Sequence, residues 1–441
     1  MALCLAIALL DGFDALTMGY VVPSIAEDWG ISAGLLTPVL TAGPLGMMFS
    51  TVTLGSVADR RGRRIVIISG VAAFGVFTGA LSFAPNVETL SILRFLAGVG
   101  LGAVLPSLIA LTAEYTPIRR KSMVTTAVAG AGIGAGGFIG GILSSFLIPA
   151  FGWQSFFAVG GLAPLLLVPL LVKFLPESLA FLAAQQRESQ VRSILAKISP
   201  SYTNAELRMP AVERIEKRPL RHLFTTNRAM LTILLWTGYF CQYVMLFVLT
   251  GWMPTLLSDA GMGSSASIWA TSLLTLGNML GALYLGAVID RRKQDFRFVA
   301  LGFPVGALTI LALVFSLPTT ALVIPLAFVL GFSALATAPG LTALAVQLYP
   351  TPARATGLAW GLAAGRAGSL LGPLAVGILI QLNFESSTIF ALGIVPAILA
   401  AIAVALLVRR ASTEIRRQTG AGSRTVDGPP PAGERSESVL P

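Results

Sequence analysis

The sequence has few charged residues for its length. Asp, Glu, Lys and Arg make up only 11% of its 441 residues, whereas soluble domains contain about 25%. Hydrophobic residues make up 55% and occur in long runs rather than in alternation, which is typical of membrane-spanning helices. Open sheets are excluded, because lipid cannot satisfy the hydrogen bonds of their edges. The expected fold class is an all-α polytopic membrane protein.

Cysteine and histidine are also scarce. Cys4 and Cys241 each lie inside an apolar run, and the single histidine, His222, lies in a polar segment. Nothing in this set suggests a disulfide or a metal site. No nucleophile–base pair is apparent either, so we expect neither an enzyme nor a cofactor. With one histidine outside the apolar runs, proton chemistry inside the membrane would have to use carboxylates.

The apolar runs define about twelve spans of roughly 20 residues each, in two sets of six. Their approximate limits are 1–23, 35–58, 64–84, 88–113, 121–148, 153–175, 229–257, 264–289, 298–316, 319–347, 355–381 and 387–408. The predicted division is an N-terminal six-helix bundle (1–175), a cytoplasmic central linker (176–228), a C-terminal six-helix bundle (229–408) and a disordered cytoplasmic tail (409–441). A short amphipathic helix is expected in the linker at about 185–198.

Basic residues occupy alternate loops. They include Arg60, Arg61, Arg63, Arg64, Arg119, Arg120, Lys121, Arg291, Arg292, Lys293, Arg297 and Arg354, whereas the opposite loops carry only acidic residues. By the positive-inside rule the basic loops and both termini are cytoplasmic, and the membrane would be the bacterial inner membrane. The net charge of +10 therefore reflects topology and does not indicate nucleic-acid binding.

One loop motif recurs in both halves. Gly55-Ser-Val-Ala-Asp59-Arg60 follows the second span, and Gly286-Ala-Val-Ile-Asp290-Arg291 follows the eighth. Parallel halves of this kind are a transporter architecture with the substrate site between them. We predict a cytoplasmic gate formed by Gly55, Asp59, Arg60, Gly62, Arg63, Glu114, Asp290 and Arg291. The alternative is that these basic residues only anchor the loops.

Asp11-Gly12-Phe13-Asp14 interrupts the first apolar run. Each carboxylate costs about 2.5–3.5 kcal/mol in the centre of a span, so we predict that this pair has a function. Asp11 and Asp14 share a helix face, and two close carboxylates in a low dielectric resist double ionisation. One of them is therefore expected to carry a proton. Alternatively, one aspartate pairs with a buried arginine or caps a helix break at Gly12.

Arg94 and Arg366 are the two basic residues inside spans. Arg366 lies near the middle of the eleventh span, where its planar guanidinium could bind a carboxylate in a bidentate manner. Arg94 could bind substrate or could pair with Asp11 or Asp14. An apolar, stackable cavity would suit an aromatic anion, and its predicted lining is Tyr239, Gln242, Tyr243, Asn278 and Trp360. The alternative for each of these is helix packing.

The twelve spans and the loop 55–64 resemble the major facilitator superfamily. The chain further resembles its aromatic acid:proton symporters (4-hydroxybenzoate/benzoate transporter-like) in four stretches: Asp11–Asp14, Arg94-Phe-Leu-Ala-Gly98 with Glu114-Tyr115, Trp252-Met-Pro254, and Tyr349-Pro350 through Gly365-Arg366-Ala-Gly368. The resemblance implies two pseudo-symmetric six-helix bundles and proton-coupled import of a small aromatic carboxylate, such as a hydroxybenzoate or hydroxyphenylpropionate. It also implies roles in transport for the matching aspartates and arginines.

Other functions remain open at this point. The same fold could carry another organic anion, such as a sialate or muconate, or could expel a drug or metabolite by proton antiport. Antiporters often have proline beside a glycine in the fifth span where this chain has Gly136-Gly137, which disfavours efflux. A membrane sensor without transport is a third hypothesis. The expected partners are the substrate, protons and the lipid bilayer, with no nucleic acid, and the chain is expected to act as a monomer.

Overall fold

A computed structural model describes residues 2–117, 127–198, 224, 229–291, 296–349 and 351–422. Helices account for almost all of these residues, and the described part of the chain contains no strand. The expectation of an all-α membrane protein is confirmed, because apolar runs of this length can satisfy their backbone in lipid only as helices.

The first half comprises six spans. Span 1 bends by 41° between its arms, Ala2–Leu16 and Met18–Trp29. The helix Gly132–Phe174 has 43 residues and would be about 65 Å long if it were straight, far more than a bilayer core. It breaks at Gly152, where φ is +76°. The bounds are span 1 Ala2–Trp29, span 2 Thr37–Arg61, span 3 Arg63–Ala80, span 4 Val87–Gly102 with Val104–Glu114, and spans 5 and 6 on either side of Gly152 in Gly132–Phe174.

The second half repeats this arrangement. Its helices are span 7 Ala229–Asp259, span 8 Ser264–Arg291, span 9 Arg297–Ser316, span 10 Thr320–Ser333 with Ala338–Leu348, span 11 Thr351–Gln381, and span 12 Ser386–Leu392 with Ile394–Gly422. Within the described ranges, ten helices are long and apolar enough to cross a membrane. The bent span 1 adds an eleventh, and dividing the long helix at Gly152 gives twelve.

The two halves use the same helix pairing. In the first half span 1 packs on span 5, span 2 on span 4, and span 3 on span 6. In the second half span 7 packs on span 11, span 8 on span 10, and span 9 on span 12. The halves meet along three pairs, spans 1 and 7, spans 2 and 11, and spans 5 and 8. A site between the halves is therefore built mainly from these spans.

Span 5 packs closely against neighbours on two sides. Gly136 lies on the span 1 side, where an added Cβ would be 2.0 Å from the Leu9 carbonyl oxygen. Gly141 lies on the span 8 side, where an added Cβ would be 1.9 Å from the Ser272 hydroxyl oxygen. Only glycine allows both approaches, so the glycine-rich sequence of span 5 holds span 1 and joins the two halves.

Outside the bundle, the linker and the C-terminal end differ in detail from expectation. The linker contains two helices, Leu179–Ala184 and Glu188–Ile198, and the second corresponds to the predicted amphipathic helix. The last helix continues to Gly422, beyond the start of the predicted disordered tail at 409. Residues 411–418 are rich in Ala, Glu, Arg and Gln, which are strong helix formers. Residues 199–223, 225–228 and 423–441 lie outside the described ranges.

Candidate functional site

Three consecutive residues of span 1, Gly12, Phe13 and Asp14, contact three different spans. Gly12 contacts span 5 so closely that an added Cβ would be 2.1 Å from the Ile133 carbonyl oxygen. Phe13 stacks on Phe156 of span 6, with 4.8 Å between ring centroids. These two contacts fix the rotation of span 1 about its axis, and the rotation determines where the two carboxylates point.

Asp14 forms a buried ion pair with Arg94 of span 4. One guanidinium nitrogen contacts the Asp14 carboxylate, and Nη2 donates a hydrogen bond of 2.8 Å to the Asp14 carbonyl oxygen. The side chains are only 2% and 5% exposed. Gly43 of span 2 leaves room for the guanidinium, since an added Cβ would be 3.3 Å from Nε. Of the two roles open to Arg94, the pair with an aspartate is the one with a contact in the structure.

Asp11 is buried but lacks such a partner. Its carboxylate makes no hydrogen bond or ion pair with any residue in the described ranges, and the charged groups that interact with it electrostatically are Arg366 and Asp14. The two aspartates therefore differ. Asp14 is committed to Arg94, whereas Asp11 lies within the electrostatic reach of a cation on the opposite half.

Arg366 of span 11 is half-buried at the interface between the halves. Its Nη1 lies 3.5 Å from the sulfur of Met47 in span 2, which is a weak acceptor. Among the described side chains, no carboxylate forms an ion pair with Arg366. A guanidinium with five donors and one thioether contact retains most of its capacity to bind an anion.

A small cavity lies between the halves. Asp11 and Arg366 are not among its lining residues, but Met47, which contacts Arg366, is. Its volume is about 20 Å³, which is room for about one water molecule. Spans 1, 2, 4, 7 and 11 contribute its lining: Asp14, Ala15, Met18, Gly19, Leu40, Gly43, Pro44, Met47, Arg94, Phe247, Thr250, Gly251 and Pro373. An aromatic acid would need this cavity to widen, which a relative movement of the halves could provide.

Among the predicted aromatic contacts, Tyr243 lies nearest to the cavity. It stacks on Phe247, a lining residue, with 6.2 Å between ring centroids. Its ring also covers Gly365, the neighbour of Arg366. Phe247 and Met47 were not identified from the sequence, because apolar residues in a span carry no sign of which side they face until the helix pairing is known.

The other predicted lining residues lie elsewhere. Tyr239 shares a hydrogen bond of 2.9 Å with Thr342, and the Gln242 amide donates one of 3.0 Å to the Leu335 carbonyl oxygen. Both contacts are with span 10 or the turn before its second helix, and both side chains are buried away from the cavity. In this structure they hold span 7 against span 10.

Trp360 and Asn278 are also absent from the cavity lining. Trp360 stacks on Trp236 of span 7, with 5.8 Å between ring centroids. Asn278 is half-buried on span 8, where its backbone nitrogen lies against Gly331 of span 10. The packing alternative accounts for the contacts of both residues in this conformation.

The predicted gate residues fall at the end of the bundle that carries Arg61, Arg64 and Arg291, called here the basic end. Glu114 forms an ion pair with Arg63 and accepts a hydrogen bond of 2.8 Å from the Ser178 hydroxyl. Two of the predicted gate residues, Arg63 and Glu114, are therefore in contact. Arg60 and Arg291 are exposed, and the side chains at 55, 59 and 290 lie outside the described set. A gating role for these residues stays a prediction.

Glu177 organises the same region. Its Oε1 accepts hydrogen bonds from the backbone N–H groups of Arg63 (2.9 Å) and Arg64 (3.1 Å), at the N-terminus of span 3. A carboxylate is favoured there by the helix dipole. The preceding Gly62 has φ of +98°, and an added Cβ would be 2.3 Å from Glu177 Oε2. The turn between spans 2 and 3 thus requires glycine at position 62, because the φ is positive and because a side chain would collide with Glu177.

At the opposite end the two halves are in contact. The Gln381 amide of span 11 donates a hydrogen bond of 2.9 Å to the Gly34 carbonyl oxygen. Near it, Thr37 at the start of span 2 packs so tightly on Gly377 that an added Cβ would be 1.8 Å from the Thr37 hydroxyl oxygen. Access to the interface between the halves is therefore restricted at this end.

These features define a helical membrane protein with two six-helix halves and a charged site between them. The profile of the Major Facilitator Superfamily matches residues 3–332 and 235–437, and the chain belongs to that family. A gallate transporter of Pseudomonas putida is 38% identical over 92% of this chain and 90% of its own length. A 4-hydroxybenzoate transporter of Acinetobacter baylyi is 37% identical over 91% and 89%. A 3-(3-hydroxy-phenyl)propionate transporter of Escherichia coli is 33% identical over 93% and 94%.

Solved structures agree on the fold. The xylose transporter XylE from Escherichia coli, in a partially occluded inward open conformation, aligns with a TM-score of 0.71 over 91% of this chain and 95% of its own. The sequence identity is only 17%, so this likeness concerns the fold alone. The family and the names of the relatives confirm the expectation that the chain belongs to a class of transporters and is not an enzyme.

Proposed function

We propose that this chain is a proton-coupled symporter that imports a small aromatic carboxylate, such as a hydroxybenzoate or hydroxyphenylpropionate, by alternating access of its two halves. The names of the relatives support the substrate class, since the gallate, 4-hydroxybenzoate and hydroxyphenylpropionate transporters cover most of the chain. The observation that carries the proposal is Arg366, an intramembrane arginine at the interface with a thioether as its polar contact.

In this proposal the guanidinium of Arg366 binds the substrate carboxylate. The fork of N–H donors matches a carboxylate, and the low dielectric strengthens the pair. Met47 lies where such an anion would approach, and it would be displaced. Tyr243, Phe247 and Met47 then offer apolar surface and a sulfur to the ring of the substrate.

Asp11 is the proposed proton carrier. It is the buried carboxylate of span 1 that no described cation pairs directly, and it interacts electrostatically with Arg366. A proton on Asp11 and an anion on Arg366 together leave the interface nearly neutral, which would allow the halves to move. Asp14 in this scheme keeps Arg94 neutralised, and both also border the cavity.

The remaining parts of the proposal concern the setting. The chain lies in the bacterial inner membrane with both termini cytoplasmic, as the distribution of Lys and Arg favours. It acts as a monomer in which 1–175 and 229–408 are the moving bundles and 176–228 is the linker between them. The Arg63–Glu114 pair and the repeated loop motif regulate opening at the basic end.

Transport in vesicles tests this proposal. Right-side-out vesicles with an inward proton gradient should accumulate labelled 4-hydroxybenzoate, gallate or 3-(3-hydroxyphenyl)propionate, and a protonophore should abolish the accumulation. Unlabelled benzoates should compete, whereas sialate and muconate should not. Accumulation only when the proton gradient is directed outward would indicate antiport instead. Competition by muconate or sialate alone would indicate that the substrate is another organic anion.

A further inference from the structure

A second cavity lies at the basic end, away from the interface between the halves. Its volume is about 450 Å³, within the range of about 300–1,000 Å³ that is usual for ligand sites. The end of span 2, the start of span 3 and the two linker helices form it. This basic pocket is lined by Arg60, Arg61, Arg64, Ile65, Glu177, Phe181, Leu182, Gln185, Arg187 and Gln190.

The arginines of the basic pocket have no counter-ion among the described side chains. Arg60, Arg61, Arg64 and Arg187 form no ion pair with the carboxylates that the structure describes. The nearby carboxylates have other partners: Glu114 has Arg63, Glu188 has Arg192, and Glu177 accepts backbone N–H groups at the start of span 3. Four guanidinium groups around one cleft repel one another, so an anion would be bound favourably there.

The walls of the pocket are ordered by specific contacts. The Ser178 side chain caps the first linker helix by accepting a hydrogen bond of 3.1 Å from the Phe181 N–H, and the Phe181 ring packs against Gly62. Gln186, with φ of +56°, turns the chain between the two linker helices, and Arg187, which follows it, lines the pocket together with Arg61. The pocket is therefore built by the fold and is not a chance grouping of surface side chains.

Apolar side chains surround the pocket on the side of the bundle surface. Ile65, Val172 and Phe174 are each at least half exposed, as expected of residues that face lipid. Arg64 donates a hydrogen bond to the Val172 carbonyl oxygen, which joins the basic wall to this apolar surface. Lys173 lies 5.2 Å from the centre of the Phe174 ring and adds a further cation beside this apolar surface.

We propose that the basic pocket binds the phosphate headgroup of an anionic phospholipid, with the acyl chains against the Ile65 and Phe174 surface. Basic pockets at the cytoplasmic side of membrane helices are suited to such headgroups. The arginine forks match phosphate oxygens, and the amides of Gln185 and Gln190 can donate to a headgroup hydroxyl. A bound lipid would join the turn between spans 2 and 3 to the linker and so stabilise the basic end.

Native mass spectrometry of the purified full-length chain tests this proposal with phosphatidylglycerol, and with phosphatidylcholine as the neutral comparison. Wild type should retain phosphatidylglycerol in preference. The double variant Arg61→Gln/Arg187→Gln should bind it more weakly by roughly fivefold for each arginine, or roughly 25-fold in all. The charge-preserving variant Arg61→Lys/Arg187→Lys should bind more tightly than the glutamine variant but more weakly than wild type, because it keeps the charge and loses the guanidinium forks. A matched control, Arg409→Gln/Arg410→Gln, removes equal charge from the same end and should bind as wild type does.

Three results would overturn the proposal. The first is equal retention of phosphatidylglycerol by wild type and by Arg61→Gln/Arg187→Gln, with both proteins showing the same unfolding temperature in lipid-free detergent. The second is equal weakening by the Arg409/Arg410 control, which would indicate diffuse surface charge. The third is displacement of the lipid by millimolar inorganic phosphate or glycerol phosphate, which would make the pocket a site for soluble phosphate. None of these measurements depends on the identity of the transported substrate.

Discussion

The two intramembrane arginines occupy contrasting environments. Arg94, in the first half, is buried and contacts both the carboxylate and the carbonyl oxygen of Asp14. Arg366, in the second half, is half-buried and has Met47 as its polar contact. Both residues lie inside spans and carry the same charge, yet Arg94 is neutralised by Asp14, whereas no described carboxylate forms an ion pair with Arg366.

This difference separates a structural charge from a binding charge. A buried charge without a partner is costly, so a protein that leaves one unpaired has lost stability that a ligand can restore. Arg94 has its anion in the sequence, as Asp14. Arg366 has no such partner among the described carboxylates, which is our reason for proposing that the substrate carboxylate binds there.

The largest effect is expected from Arg366→Gln. Removing one member of a buried charge pair costs 2–5 kcal/mol, so the affinity for an aromatic carboxylate should fall by at least about 30-fold. Stability should be preserved or slightly increased, because the variant removes an unpaired charge and one thioether contact. Uptake of labelled 4-hydroxybenzoate and unfolding temperature measure the two effects. Arg410→Gln, which removes an exposed arginine, is the control, and unaltered uptake by Arg366→Gln would contradict the assignment.

Met47→Glu should give Arg366 a carboxylate partner, as Asp14 is for Arg94. The new carboxylate lies within reach of Arg366 and should pair with it permanently, so that substrate no longer binds. Met47→Gln has the same size without the charge and should retain most uptake. Binding of 4-hydroxybenzoate, measured by isothermal titration on both variants, distinguishes them. Equal binding by Met47→Glu and Met47→Gln would mean that the substrate does not use Arg366.

Asp11→Asn should uncouple transport from protons while preserving the substrate site. Asparagine cannot accept a proton, so accumulation driven by a pH gradient should disappear. Exchange of internal for external substrate needs no net proton movement and should persist at a measurable rate. Counterflow and gradient-driven uptake in the same vesicles provide the comparison. Gradient-driven accumulation by Asp11→Asn at the wild-type level would mean that another group carries the coupled proton.

Arg94→Leu should act on stability first. It leaves Asp14 buried and unpaired, which costs about 3–5 kcal/mol in free energy of unfolding. The double variant Arg94→Leu/Asp14→Leu removes both charges and should recover most of that loss. Denaturation in detergent of the two single variants and the double variant measures the coupling as a double-mutant cycle. A double variant no more stable than Arg94→Leu would show that the two residues do not act as a pair.

Much of the fold could be predicted from the sequence, because the membrane imposes local rules. Apolar runs of span length indicate helices, and alternate basic loops indicate the topology. The recurrence of Gly55–Arg60 at Gly286–Arg291 indicates two related halves. These signals need no information about which helix contacts which.

The candidate site could not be predicted without knowing which helices are in contact. Asp11 and Asp14 share a helix face, so the sequence could not indicate which one pairs with Arg94. The answer depends on the rotation of span 1, which Gly12 and Phe13 fix through contacts with two other spans. The same limitation explains why Tyr239 was predicted for the cavity but packs on span 10, while Met47 and Phe247 were missed.

The smallest effect is expected at the Arg63–Glu114 pair, which resembles Arg94–Asp14 in chemistry but not in setting. Its side chains are 23% and 18% exposed, so water screens the charges and removes much of their mutual energy. Glu114→Gln keeps the size of the side chain and can still accept the hydrogen bond from Ser178, so that the variant removes little besides charge. The expected loss in free energy of unfolding is about 0.2–1 kcal/mol.

Salt dependence distinguishes this partly exposed pair from the buried one. At about 1 M salt the screening length falls to about 3 Å, so the stability difference between Glu114→Gln and wild type should vanish there. The cost of Arg94→Leu should persist under the same conditions, because ions do not reach a pair that is 2% and 5% exposed. Denaturation at low and high salt provides both comparisons. A salt-independent loss of 3 kcal/mol or more at Glu114 would place its charge in the same category as Asp14, and exposure would then not be what separates the two pairs.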